Sequence, residues 1–331
     1  MSRELNDAGL QAGPWWQPTT TQAQRVARAK LLADIRRFFA ERGVLEVETP
    51  ILSQHTVTDI HIDSFETLYS YGQYSETYYL QTSPEYPMKR LLAAGSGAIY
   101  QISKAFRKDE SGAKHNPEFS LLEWYRPEWN HHQLMDEIDI FLQTLLETLP
   151  AERITYKQLF INYFAVDPFS GPLEELQHLA AQKGLAEADG IDDRDTLLQF
   201  LMGLITDLDN GENKPLFVFD FPASQAALAR LSADDSQVAE RFEVYIRGIE
   251  LANGFHELLD SQEQRHRFKK DQDKRLKRGA PPISMDERLL AALEIGLPPC
   301  AGVALGVDRL LMIKLSLDRI DQVINFPWKI A

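Results

Sequence analysis

Apolar positions between residues 22 and 42 recur at helical spacing: Val26, Leu31, Leu32, Ile35, Phe38 and Phe39 fall on one stripe. Thr20 or Thr21 stands where a helix N-cap is expected, and Gly43 where a helix ends, so the pattern predicts a helix to about Arg42. Residues 44–52 then read as a strand, interrupted at Pro50. Residues 56–70 and 76–82 alternate and are rich in Thr, Ile and Tyr, which predicts antiparallel strands. Pro84 opens a helix through Ala94, with Pro87 still in its first turns. Residues 98–107 and 118–126 are strands joined by a polar loop, a long hairpin, and 131–148 is an amphipathic helix.

From about residue 154 to 235 helices alternate with acidic stretches, which predicts a helical insertion or sub-lobe. Within it the apolar run 216–221 reads as a buried strand. Residues 241–259 form another strand region, 262–278 a charged helix, and 302–317 a glycine-bearing turn running into an apolar helix. Strands follow one another through hairpins more than through helical crossovers. The expected class is therefore α+β, an antiparallel β-sheet flanked by helices. The expected organisation is a flexible N-terminal arm over 1–20 and one domain over 21–331.

Composition narrows the partners. The 331 residues carry 35 basic and 49 acidic side chains, a net charge of −14, whereas a long phosphate backbone is gripped by basic surfaces. The single cysteine, Cys300, rules out an internal disulfide and fits a reducing cytoplasm. No stretch is long and apolar enough to span a bilayer, the N-terminal residues lack a signal-peptide core, and no P-loop motif GxxxxGK[ST] is present.

Three stretches carry candidate chemistry. The first is Gly43 to Pro50, which also reads as a plain helix stop and edge strand. In the second, Phe106-Arg107 ends one hairpin strand, Lys108, Asp109, Glu110 and His115 lie in the loop, and Asn116-Pro117-Glu118-Phe119 opens the return. An arginine there points a guanidinium fork at a phosphate. Phe119, Leu121, Glu123 and Tyr125 share one strand face. The third is Glu250-Leu251-Ala252-Asn253-Gly254-Phe255-His256-Glu257, followed by Gly302 to Arg309. Glu250 and Glu257 are an odd number of residues apart, so a bulge at Asn253-Gly254 would be needed to put both on one face, where two carboxylates can hold Mg²⁺ or an ammonium group. A hairpin turn at Asn253-Gly254 is the plainer alternative.

In this order the three stretches resemble motifs 1, 2 and 3 of the class II aminoacyl-tRNA synthetases, in detail the lysyl type, from about residue 22 to 326. They are closer still to the elongation factor P lysine ligase family, a paralogue of lysyl-tRNA synthetase. Ser83 to Arg90, Leu122 to Pro127, Ile249 to Leu258 and Val303 to Arg309 carry that likeness. Only about 20 residues precede the first helix, too few for an anticodon-binding OB-fold, which agrees with the paralogue. Two positions depart from the synthetase pattern: Asp109 stands where motif 2 usually has Glu, and Ala304 where lysyl-tRNA synthetases have Gly.

The resemblance implies a class II catalytic core that uses ATP and Mg²⁺ to activate (R)-β-lysine or lysine as an adenylate. The acyl group then passes to a lysine of elongation factor P. It implies catalytic roles for Arg107 and Arg309, with Arg107 on the α-phosphate and His115 and Arg309 on the terminal phosphates. Phe119 and Arg309 would sandwich adenine, while Lys108, Asp109, Asn116, Leu251 and Gly306 line the nucleotide site. Glu250, with Glu257, would hold Mg²⁺; Ser83, Pro84, Glu85, Tyr125 and Glu257, helped by Glu123, would form the amino-acid pocket. It further implies a homodimer through motif 1, with tRNA not expected as a partner. The rival readings are a truncated lysyl-tRNA synthetase-like enzyme acting on tRNA or free acceptors, and a non-catalytic paralogue that binds amino acid or ATP.

Overall fold

The N-terminal stripe forms the helix its spacing predicts. In the computed structural model, which describes residues 16–206 and 213–331, α1 spans Gln22–Ala40. Most of the expected N-terminal arm lies outside the described residues. Thr21 caps α1 reciprocally: its hydroxyl accepts from the Gln24 amide at 3.3 Å while the Gln24 side chain accepts from the Thr21 amide at 2.6 Å. Leu31, Ile35, Phe38 and Phe39 are buried, whereas Val26 is exposed. Gly43, at φ +65°, takes the left-handed conformation that turns the chain out of the helix.

The predicted strand over 44–52 is two short ones, β1 (Leu45–Glu46) and β2 (Leu52–Ser53), in different sheets. Pro50 lies where the chain crosses between them. β3 (Glu66–Tyr71) and β4 (Tyr74–Leu80) make the expected antiparallel hairpin, with β2 on its other edge. Residues 56–65 are not strand. Arg275 accounts for part of this, since it donates to the Asp59 carbonyl and pairs with the Asp63 carboxylate, both at 2.7 Å, and so holds the segment outside any ladder. Next come α2 (Glu85–Ala93), β5 (Ile99–Phe106), β6 (Glu118–Pro127) and α3 (His131–Leu146), close to their expected bounds.

The remaining elements are β7 (Glu152–Thr155), α4 (Tyr156–Phe164), α5 (Leu173–Gln182), α6 (Arg194–Thr206), β8 (Leu216–Pro222), β9 (Val238–Ile246), β10 (Ile249–His256), α7 (Ser261–Lys277), α8 (Glu287–Gly296), β11 (Cys300–Gly306) and α9 (Val307–Leu315). The main sheet runs β1-β5-β6-β11-β10-β9-β8-β7. It is antiparallel as expected through its six central strands, but both edge pairs, β1–β5 and β7–β8, are parallel. On one face α1, α3 and α9 bury the main core, where Phe39 meets Trp124 and Phe38 meets Phe141 edge-on. Helices α4 to α6 gather a second core around Tyr156, Phe160, Leu197 and Leu201, which also takes in Val218 and Phe221 of β8. No described helix is long and apolar enough to cross a membrane.

Three expectations are corrected in β9–β11. Residues 241–259 are not one strand region but a hairpin, turning at Arg247-Gly248 with φ of +50° and +66°. Two successive left-handed residues are what a tight hairpin turn requires. The bulge is not at Asn253-Gly254: the ladder shifts between Glu250 and Ala252, leaving Leu251 as the extra residue. The start of 302–317, read as a glycine-bearing turn, instead belongs to β11, Cys300–Gly306, in the middle of the sheet.

Candidate active site

The sheet face opposite the main core, roofed by α2, α7 and the 56–65 segment, bounds a cavity of about 580 Å³. The β5–β6 hairpin and β10 and β11 supply its floor. From the residues the sequence singles out, it gathers Ser83, Glu85, Arg107, His115, Asn116, Phe119, Glu250, Leu251, Gly306 and Arg309 into one wall. Ala304 also faces it. Lys108 and Asp109 are not brought in: both are exposed, and Asp109 turns the chain at φ +66°. Glu110 lines the cavity where Asp109 does not, 3.6 Å from Arg107.

At the nucleotide-sized end Arg309 is held in one plane by three acceptors. It donates to the Lys114 carbonyl (3.2 Å), the Glu250 carbonyl (2.7 Å) and the His115 ring (2.7 Å). The hairpin loop is thereby tied to β10 through a fixed guanidinium. Burial and the adjacent Arg309 push the His115 pKa down, so its ring is neutral and accepts this bond. Arg107 lies 5.1 Å from the centroid of the Phe119 ring, within cation–π range. A Cβ at Gly306 would meet only the Arg309 side chain, no closer than 3.6 Å, so this corner is open for a ligand to approach the backbone. Asn116, in the wall, is fixed by donating to the Glu118 carbonyl (2.6 Å) and accepting from the Trp328 amide (3.0 Å).

At the other end lies a layer of buried charge. Ser83 and Tyr125 donate to the two oxygens of Glu123, at 2.8 and 2.7 Å. Burial and the nearby Glu85 nevertheless push the Glu123 carboxyl up to about 8. Lys89, buried in α2, bridges Glu85 (2.7 Å) and Glu257 (2.6 Å). Burial opposes its charge, but these two carboxylates outweigh that and hold it protonated. Burial also raises Glu257, to about 7, against the pull of Lys89. Three carboxyl groups thus share one ammonium, a surplus of two groups that can ionise when a cation arrives. Pro84, Tyr125 and Glu257 sit behind the cavity wall rather than on it. Gly302 makes this layer possible, because a Cβ there would stand 2.3 Å from the Tyr125 ring and 2.5 Å from Glu257.

The bulge at Leu251 puts Glu250, Asn253 and Phe255 on the cavity side, the parity that the odd spacing of Glu250 and Glu257 called for. The acidic partner of Glu250, however, is Glu243 of β9. The two line one branch of the site, of about 380 Å³, with Arg241 and Tyr245, and Glu257 is absent from it because its carboxylate is turned to Lys89. Burial first, and Glu250 beside it, raise the Glu243 pKa although Arg241 and Tyr245 both donate to it. An acidic pair whose repulsion Arg241 and Tyr245 only partly relieve fits a hard divalent cation. Glu243 was not singled out from the sequence, and Lys89 entered only within the stretch Ser83 to Arg90, with no role of its own. Glu243 shares strand parity with Arg241 and Tyr245, a signal visible only once the Arg247-Gly248 turn is recognised. Lys89 stands beside Arg90 in a helix and reads as surface.

An antiparallel floor, an arginine ending one hairpin strand and a second at the start of a following helix define the class. The chain belongs to the class II tRNA synthetase family, whose D, K and N model matches residues 16–329. Within it the chain is similar to proteins named elongation factor P--(R)-beta-lysine ligase. The one from Vibrio vulnificus is 54% identical over 319 residues, 96% of this chain and 99% of that protein. The Histophilus somni protein is 53% identical over 313 residues, 94% and 97% of the two chains, and that of Photobacterium profundum 53% over 319 residues, 96% and 99%.

Proposed function

We propose that this protein is an ATP-dependent ligase that activates (R)-β-lysine, or lysine, as its adenylate and transfers the acyl group to a lysine side chain of elongation factor P. The observation that carries the reading is the surplus of two buried carboxyl groups beside a cavity that also presents two arginines. A substrate with two ammonium groups and one carboxylate supplies the missing charge. The names of relatives that match nearly the whole chain support the same substrate and acceptor.

In the first step a substrate carboxylate oxygen bonds to the α-phosphorus of ATP and the bond to pyrophosphate breaks. The nucleophile is already anionic, so alignment and charge neutralisation matter more than a base. Arg107 faces the α-phosphate, while His115 and Arg309 meet the outer phosphates. Phe119 and Arg309 flank adenine, with Asn116, Leu251 and Gly306 around them; any role for Lys108 and Asp109 is through the backbone. Mg²⁺ held by Glu243 and Glu250 would neutralise phosphate charge. Ser83 and Glu85 receive the substrate ammonium groups at the cavity wall, backed by Glu123 and Tyr125 behind it, with Pro84 positioning Glu85 at the start of α2 and Glu257 acting through Lys89. In the second step the acceptor amine, having lost a proton, bonds to the activated carbonyl and AMP leaves. The balance of −14 supports a protein acceptor over tRNA.

A homodimer through motif 1 is part of the proposal, supported by the exposed apolar Val26, Leu45, Ile51 and Leu52 around the sheet edge. So is a cytoplasmic home, supported by the buried free thiol of Cys300. The test is ATP–pyrophosphate exchange with lysine and both β-lysine enantiomers, followed by mass analysis of elongation factor P. Exchange with none of these substrates sinks the activation reading. Exchange without a mass increase on the factor sinks the acceptor.

A further inference from the structure

The face of the sheet that packs on α3 holds a second set of ionisable groups, which lines neither branch of the cavity. His131 is the first residue of α3, Glu240 lies in β9, and His256 ends β10. All three are buried, at 5%, 9% and 8% exposure, and one ligand atom from each lies within 4.8 Å of the others. Asp220 of β8, in the left-handed conformation at φ +61°, sits at the edge.

His131 makes this cluster unusual. Its Nδ1 lies 3.6 Å from Glu240 Oε2 and its Nε2 lies 3.8 Å from Asp220 Oδ1. Both separations are too long for hydrogen bonds, and neither ring nitrogen has a partner. Burying two bare nitrogens is costly; a metal ion on Nδ1 beside Glu240 would satisfy one and leave the other, as N–H, facing the Asp220 carboxylate. Two ligands on one tetrahedral Zn²⁺, each about 2.0–2.1 Å from it, stand roughly 3.3–3.4 Å apart. The gap between His131 and Glu240 therefore has the length of a co-ligand spacing. His256 Nδ1 is nearer, 2.5 Å from Glu240 Oε2, which is a hydrogen bond. A ring shift of about 1 Å converts it to the same spacing. Arg230 grips Glu240 with two donors at 2.9 and 3.0 Å. Arg230, partly exposed, suits the outer partner that orients a ligating carboxylate.

We propose that His131, Glu240 and His256, with Asp220 beside them, bind one divalent transition-metal ion of the Zn²⁺ type. Such an ion would pin the start of α3 to three strands. It is separate from any Mg²⁺ at Glu243 and Glu250, whose all-oxygen set suits a harder cation.

The test uses the full chain stripped of metal, reloaded with excess Zn²⁺ and desalted, with metal counted by mass spectrometry. The wild type should keep one equivalent per chain, and Co²⁺ in its place should give visible d–d absorption. His131→Gln should weaken Zn²⁺ binding by about 100-fold or more, at least the upper end of what losing even an outer partner costs. Zn²⁺ should raise the unfolding temperature of the wild type and not of His131→Gln. His132→Gln, at the neighbouring exposed position, should behave as wild type. A wild type that retains no stoichiometric Zn²⁺ and shows no Co²⁺ band overturns the proposal without recourse to variants. So does undiminished binding by His131→Gln.

Discussion

Replacing Glu123 with Gln should stabilise the ligand-free protein while disabling it. Glu123 is buried with Glu85 as a like-charged neighbour, and its carboxyl sits near 8, against about 4.5 when unfolded. Between those two values the unfolded state releases a proton that the folded state keeps. Stability is therefore lost as pH rises from about 4.5 towards 8, and the loss is complete above that. At pH 7 the difference of about 2.5 units corresponds to roughly 3 kcal/mol at 1.36 kcal/mol per unit. Gln removes this penalty but must share its amide between the Ser83 and Tyr125 hydroxyls, a mismatch of about 1 kcal/mol. The net gain, about 2 kcal/mol, corresponds to an unfolding temperature higher by roughly 3 °C at pH 7 for a chain of 331 residues. The gain should shrink towards pH 5. Differential scanning calorimetry from pH 5 to 8 measures it, and ATP–pyrophosphate exchange with lysine substrates should collapse in parallel. A variant less stable than wild type at every pH, with a constant difference, would refute the account of Glu123 as an uncompensated buried acid awaiting a cation.

Gly302→Ala forces a Cβ to within 2.3 Å of the Tyr125 ring, so calorimetry should show about 1–3 kcal/mol of destabilisation, and exchange assays a raised KM for the amino acid but not for ATP. Ala304→Gly removes one methyl from the cavity wall; at about 0.8 kcal/mol per methylene-sized group the kcat/KM ratio of lysine to (R)-β-lysine should move about 4-fold towards lysine, and an unmoved ratio counts against Ala304 as a selector. Glu243→Gln should raise the Mg²⁺ concentration for half-maximal exchange by about 10-fold or more, whereas Glu257→Gln should leave that requirement alone and raise the amino-acid KM. Arg309→Ala should lower kcat for exchange by about 100- to 1,000-fold without moving the amino-acid KM.

Local signals made α1, α2, α3 and the β5–β6 hairpin legible, because each has a cap, a proline or a clean period of its own. The shared face of Phe119, Leu121, Glu123 and Tyr125 follows from strand parity alone, and the cavity is built over it. What stayed hidden depends on partners distant in the chain. The turn at Arg247-Gly248 has no Asn-Gly signature, so β9 and β10 merged into one region and Glu243 lost its place opposite Asn253. Residues 56–65 alternate like a strand but are held by Arg275, more than two hundred residues later. Lys89 looks like a surface lysine until Glu257 arrives from β10 to neutralise it in the interior.

The extra residue at Leu251 turns the distance between Glu250 and Glu257 into an odd number and still lets both ends of β10 address the same side of the sheet. Removing that residue would restore plain alternation, with Glu250 still opposite Tyr245 on the cavity side and now an even number of residues from Glu257. The bulge therefore adds length to the strand without changing which side its ends address. What it alters is the reach between the nucleotide end and the amino-acid end, and the twist of the strand that joins them.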